Sequence, residues 1–306
     1  MKMQNSAVAS KQTIALFASY FENEDIPVYI QFYLIELTKC FDKVYFLCNE
    51  KKLSQKTIDF CNEHSIILQL HKNEGYDFGL WYKALKTINL QNVKEIALIN
   101  DSCVLFKPLK PYLERMRKLP FDYCGMLDSV EIRYHVQSYF LLLRNEAISV
   151  ASNYILQQGI VNETDIRKFI SIFELGISDA MQNKKISIGS LYSYRNFYFP
   201  LNFRFSSLFV EKIWHKLLKI YALAYYKSDF KFLQKNPAYF LLHRLMKNNF
   251  PLIKKSILQN IHKEEYKKNL ESFDSNEKSR FFSEYILNST FYKKNMVEEM
   301  LKQLTK

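Results

Sequence analysis

The stretch "NEGYDFG", residues 73–79, sets one carboxylate, Asp77, between two of the chain's six glycines. Gly75 permits a backbone turn where a side chain would clash. Asp77 at the start of a helix either caps free amides or accepts hydrogen bonds from ribose hydroxyls or a base. Asn73 stands on the same loop. A second polar knot, "NDSC" (100–103), interrupts two apolar runs in "EIALINDSCVLFKPL", so Asn100 and Asp101 fall where a strand should end. A third loop, "LDSVEIRYHVQSYF" (127–140), carries Asp128, His135, Gln137 and Ser138, and "FELGISDAM" (173–181) carries Glu174.

Short apolar runs alternating with longer amphipathic ones must position these groups. The runs 13–21, 43–49, 66–71 and 95–100 read as strands, and 26–41, 54–64 and 78–88 as helices, with Ser54 as an N-cap. Such alternation predicts a mainly parallel sheet with helices on both faces and strands buried on both sides. Ligands of such sheets sit beyond the carboxyl ends of the strands. The loops above, with "SYFENED" (19–25) and its Tyr20, leave those ends. Beyond Gly189 there is no glycine, and the chain reads as consecutive helices broken near Pro237 and Pro251. The expected division is residues 1–200, an α/β domain, and 201–306, a helical basic region.

The chain has 306 residues, 48% of them hydrophobic, enough for one or two globular domains. No run is long and apolar enough to span a membrane, and the start lacks the pattern of a signal peptide. A cytoplasmic location is expected. Five cysteines without metal spacing predict reduced, mostly buried thiols. The net charge of +12 favours acidic partners. Basic side chains with interleaved aromatics can stack bases, but no nucleic-acid motif is present, and nucleic acid is not expected as a partner.

Six segments in order resemble the rhamnan synthesis F family of polysaccharide glycosyltransferases: "ALFASYFENEDIPVYIQFYLIEL", "NEGYDFGLW", "LINDSCVLF", "GMLDSVEIRYHVQSYFLLLR", "FELGISDAM" and "NPAYFLLHRLMKNNFPLIKKSIL". They cover most of residues 14–258. "NDSC" resembles the D-x-D region of GT-A-fold glycosyltransferases. One departure is Ser19, where the family pattern has a histidine. The resemblance implies a GT-A, Rossmann-like α/β fold and a nucleotide-sugar donor. It implies a glycosidic product on a cell-surface glycan, such as lipopolysaccharide O-antigen, built on a lipid-linked acceptor. Tyr20, Asn73, Gly75, Asp77, Asn100 and Asp101 would bind the donor, and His135, Gln137 and Ser138 would face the acceptor. A divalent cation (Mg or Mn) on Asp101 would neutralise the donor diphosphate. Cys103 stands where the second acid of D-x-D should be and is a poor ligand for such a hard cation, so weak metal dependence is expected.

Transfer with inversion needs one base for the acceptor hydroxyl. Glu174 matches the first acid of a pair that these enzymes place at a helix start; Leu175 replaces the second. Asp128 is the other candidate. A bland reading of Glu174 is a first-turn acid favoured by the helix dipole. The missing acids also fit an alternative, a non-catalytic GT-A-fold subunit of a glycan-assembly complex. Last, residues 201–250 carry nine basic and two acidic side chains. Trp214, Leu217, Leu218, Tyr221 and Tyr225 share a helical face flanked by Lys212, Lys216 and Lys219. That pattern fits a helix lying on an anionic membrane surface, or one packed in the core.

Overall fold

The computed structural model describes residues 11–194, 236–260 and 303–304. Four strands open the chain: β1 (Gln12–Ser19), β2 (Lys43–Asn49), β3 (Ile66–His71) and β4 (Val93–Asn100). Between them run α1 (Val28–Thr38), α2 (Gln55–Glu63) and α3 (Tyr76–Leu85). The Ser54 hydroxyl caps α2 by accepting from Thr57 N at 3.2 Å.

After β4 come a short strand β5 (Cys103–Leu105), α4 (Lys110–Arg117), β6 (Tyr123–Ser129), β7 (His135–Val136), β8 (Phe140–Arg144) and α5 (Glu146–Gln158). One continuous helical run then contains α6 (Ile166–Ile170), a π-helical turn (Ser171–Leu175) and α7 (Gly176–Asn183). It leads to β9 (Ile188–Tyr192). The later described stretch holds α8 (Pro237–Phe240), α9 (Leu242–Lys247), β10 (Leu252–Lys254) and α10 (Lys255–Asn260).

The main sheet has the order β3-β2-β1-β4-β8-β6-β7, with β9 also on β6. Pairs among β1–β4 and β6 with β9 are parallel; β8 and β7 pair antiparallel. This is the expected Rossmann-like α/β class. The order reverses between β1 and β4, so the switch point where such sheets open a crevice lies at the ends of those two strands.

The period of two sorts β1 between two cores. Ile14, Leu16 and Ala18 pack with Phe78, Trp81 and Ala151 of α3 and α5. Ala15 and Phe17 pack with Tyr33 and Leu34 of α1, on the side that also receives Leu245 and Ile253. Helices therefore cover both faces. Strand β3 departs from the expectation of double burial: it is an edge, and Ile67 and Leu70 are exposed at 37% and 41%.

Pro237 opens α8 as its first helical residue, at the expected break. One further expectation is corrected. The chain after Pro251 forms a strand, β10, antiparallel to β5. The expected boundary at 200/201 and the aromatic face of 209–233 lie outside the described residues. The described part of that half, 236–260, contributes Leu241, Leu245, Phe250, Ile253 and Leu258 to the core that also holds Phe17. Among the described residues, no helix is long and apolar enough to cross a membrane. All five cysteines are free, four of them buried, and burial pushes the Cys48 thiol up to about 12.

Candidate functional site

The carboxyl ends of β1, β3 and β4 bring Ser19, Asp77, Asn100 and Asp101 into one polar crevice. Asp101 continues β4's pairing by one residue, its N–H donating to Ala18 O at 3.1 Å. Its Oδ2 accepts from the Ser19 hydroxyl at 2.9 Å and from Lys255 Nζ at 2.8 Å. Asn100 is buried; its side-chain oxygen accepts from Ser102 N at 3.1 Å and its amide donates to Asp77 Oδ2.

The glycines of "NEGYDFG" have separate physical causes. Gly75 is left-handed (φ 70°) and is itself the N-cap of α3, with Asn162 Oδ1 accepting from its N–H at 3.1 Å. Gly79 needs no special φ, but a Cβ there would lie 1.8 Å from the Glu74 carbonyl oxygen. The loop thus folds tightly over the first turn. Asp77 is not the cap; it stands inside the first turn, its Oδ1 accepting from Phe78 N at 3.1 Å. Burial, and the nearby Glu174, push its carboxyl up to about 6, against the lowering effect of the Asn100 amide. Tyr76, also left-handed (φ 52°), and Tyr20 leave their rings 48% and 49% exposed at the same edge. Asn73 is exposed on the loop.

Opposite this group stands Glu174. It does not open a helix, as its sequence context suggests. It lies in the π-helical turn within the run 166–183, which removes the dipole explanation. Single π turns often mark functional positions. Here the device is visible: the Tyr154 hydroxyl donates to Ile172 O at 2.6 Å, and Gly176 leaves the room, since a Cβ there would sit 2.0 Å from that hydroxyl. Ser138 donates to Glu174 Oε1, while His135 Nε2 lies 3.7 Å from Oε2. His135 Nδ1 lies 2.8 Å from the Arg133 carbonyl, which can only accept, so Nδ1 carries a proton.

Gln137 is buried, its side-chain oxygen without a hydrogen-bond partner among the described residues. The structure thus gathers His135 and Ser138 around Glu174 but encloses both. Asp128 is drawn elsewhere. It is 2% exposed, accepting from Tyr194 N at 2.6 Å and Tyr134 Oη at 3.4 Å.

No protein-family profile matches the chain. Among characterised sequences it is similar to Virulence protein VirA of Vibrio anguillarum, 25% identical over 242 residues, 72% of this chain and 71% of that one. Among solved structures, a cytidylyltransferase from Leptospira borgpetersenii overlays 78% of this chain and 95% of its own at 12% identity and a TM-score of 0.37. The glycosyltransferase GlyE of Streptococcus pneumoniae overlays 61% and 46% at 14% identity and a TM-score of 0.33. Such partial overlays assign no activity.

The donor set at Asp101 does not suit a divalent cation. One Asp101 oxygen, Oδ2, already accepts from an ammonium and a hydroxyl. Cys103 is buried, and burial raises its thiol, which opposes the thiolate a metal would need. Among the described residues, no three His, Cys, Asp or Glu side chains gather around a common point.

Sequence reasoning does not single out three residues of this crevice. Lys254 and Lys255 arrive from the far end of the chain by the β10–β5 pairing, Lys254 opposite Cys103. Glu131 follows the Asp128 strand; burial raises its carboxyl, with His135 lowering it and Glu174 raising it. The "KK" after an apolar run was the visible signal, but only the strand pairing tells where it points.

Proposed function

We infer that the chain is a nucleotide-sugar-dependent glycosyltransferase acting in surface-polysaccharide synthesis, as the rhamnan synthesis F resemblance implies. One observation carries the reading. The switch point holds an amide–carboxylate group on one wall (Asp77, Asn100, Asp101) and an oriented carboxylate, Glu174, on the other. In this reading the donor's nucleoside lies along Asp77 and the exposed Tyr20 and Tyr76, and its diphosphate lies beside Asp101. The acceptor hydroxyl approaches Glu174. Ser138 occupies Oε1, which leaves Oε2 to take the proton. The acceptor oxygen bonds to the anomeric carbon, and the bond from that carbon to the diphosphate oxygen breaks. Its electron pair leaves with the nucleoside diphosphate, with inversion at carbon.

The acceptor is a lipid-linked glycan in this proposal, and the net charge of +12 would favour an anionic membrane surface. Co-sedimentation with anionic vesicles at low salt checks that part. The principal test is a thermal-shift screen against nucleotides and nucleotide sugars, followed by transfer to a glycan acceptor. A ligand bound only by the folded chain raises stability by RT ln(1 + [L]/Kd). A nucleotide sugar that binds and is neither transferred nor hydrolysed would favour the non-catalytic reading.

A further inference from the structure

We propose that Lys254 and Lys255 form an anion subsite that takes the diphosphate of the donor in place of a divalent cation. This rests on the reading of the crevice as a donor site. Lys254 ends β10 and Lys255 opens α10, and the backbone there is fixed against the polar knot: Lys255 N donates to Ser102 O at 2.8 Å, and Lys254 lies in register with Cys103. The residue that removes the second acid is therefore the one a lysine stands beside.

The two ammonium groups differ in use. Lys255 Nζ is held by Asp101 at 2.8 Å and faces Tyr29 Oη at 3.4 Å, with 22% of its side chain exposed. Lys254 Nζ touches Ser102 Oγ at 3.4 Å and lies 4.8 Å from the Tyr139 ring centre. Among the described residues it makes no ion pair. A positive charge over an aromatic face beside a hydroxyl is thus left for an anion. Asp101 then has a different task from a metal ligand: it positions Lys255, and Ser19 holds Asp101 from behind. Of the nearby acids, Glu131 feels the Lys254 charge, which lowers its carboxyl, but the two make no ion pair among the described residues, so the Lys254 ammonium stays open to a phosphate. A diphosphate between the lysines forms charge-assisted hydrogen bonds, which are short and strong.

The test is calorimetric titration of the full chain with UDP, GDP, CDP, dTDP and inorganic pyrophosphate, each in EDTA and in Mn²⁺. The expected result is one nucleoside diphosphate that binds in EDTA about as tightly as in Mn²⁺. Lys254→Gln and Lys255→Gln each weaken it by roughly tenfold or more, the usual scale for a lost charged hydrogen bond. Lys254→Arg retains most of the affinity. Melting curves run alongside, and because Lys254 stands outside the Asp101 pair its variants keep the test valid if Lys255→Gln fails to fold. Binding that needs Mn²⁺ and ignores both lysine variants overturns the subsite while leaving the donor reading intact. Pyrophosphate binding that depends on the lysines, without any nucleoside diphosphate binding, keeps the anion subsite and removes the nucleotide. No binding under any condition overturns both.

Discussion

The two edges of the sheet use the same residue types in opposite ways. At the amino edge, Arg117 forks onto Glu95, with Nε 3.0 Å and 3.1 Å from the two carboxylate oxygens, and also donates to Cys40 O. Arg144 spreads its guanidinium over the carbonyls of Arg117, Leu119 and Phe121. Asp42 accepts from Thr13 N at 2.8 Å, and the Thr13 amide and hydroxyl hold its carboxyl below the usual range. Each acid there is matched. At the carboxyl edge Asp77 is pushed up to about 6, Glu174 has one oriented hydroxyl and a histidine at 3.7 Å, and Lys254 has no carboxylate partner among the described residues. Satisfied polar groups hold a fold together; groups left partly unsatisfied at a switch point mark where a ligand completes them. A wide depression does open at the amino edge, between Thr13, Lys94, Glu95, Arg117 and Arg144. Its acids Glu95 and Asp42 are held by Arg117 and Thr13, while Arg144 Nε is buried there without a hydrogen-bond partner among the described residues.

Substitution should separate the two edges. The largest effect is expected from Asp101→Ala, which should abolish transfer in a protein that still melts cooperatively. Glu95→Ala should do the reverse, costing about 1.5–3 kcal/mol of stability through the stranded Arg117 while activity per folded molecule holds. Full activity in Asp101→Ala, or its loss in folded Glu95→Ala, breaks the comparison.

Next comes Glu174→Gln, expected to lower kcat by ~10²–10⁴-fold with donor affinity unchanged. Asp128→Asn should act on stability instead, since its carboxylate serves the Tyr194 amide and the Tyr134 hydroxyl. If the kinetic roles of these two are exchanged in a rapid-quench assay, Asp128 is the base.

A smaller effect is expected at the π turn. Gly176→Ala should displace the Tyr154 hydroxyl, destabilise the chain by about 1–3 kcal/mol and lower kcat without moving KM. An unchanged kcat would mean that the turn does not aim Glu174.

The smallest concerns pH. Asp77 ionises near 6 in the folded chain and near its ordinary 3.8 when unfolded. Between those values the folded state binds more protons, so its contribution to stability falls as pH rises and stays low above about 6. Asp77→Asn removes that slope. Denaturant titrations of both proteins from pH 4 to 7 measure it, and parallel pH profiles would place Asp77 in an ordinary solvated setting.

Much of the wall that holds Asp77, Asn100 and Asp101 was legible because it is local. Apolar runs of about six residues set β1, β2, β3 and β4 to within two residues, and "NEGYDFG" and "NDSC" stand where those strands end. The other wall was not, because long-range contacts build it. The π turn depends on Tyr154 reaching Ile172 and Gly176, and nothing in "FELGISDAM" alone separates it from a helix start. Lys255 meets Asp101 across 154 positions of sequence. A helical pattern after Gly189 concealed β10, whose three residues are too few to show a period.

The central claim is that the crevice between β1 and β4 binds a nucleotide sugar. Its most direct test is the melting temperature of the wild-type chain, Asp101→Ala and Glu95→Gln across a panel of nucleotide sugars. One sugar nucleotide should raise the melting temperature of the wild type and of Glu95→Gln and leave Asp101→Ala unmoved. A shift that survives in Asp101→Ala, or no shift with any member of the panel, would contradict the account.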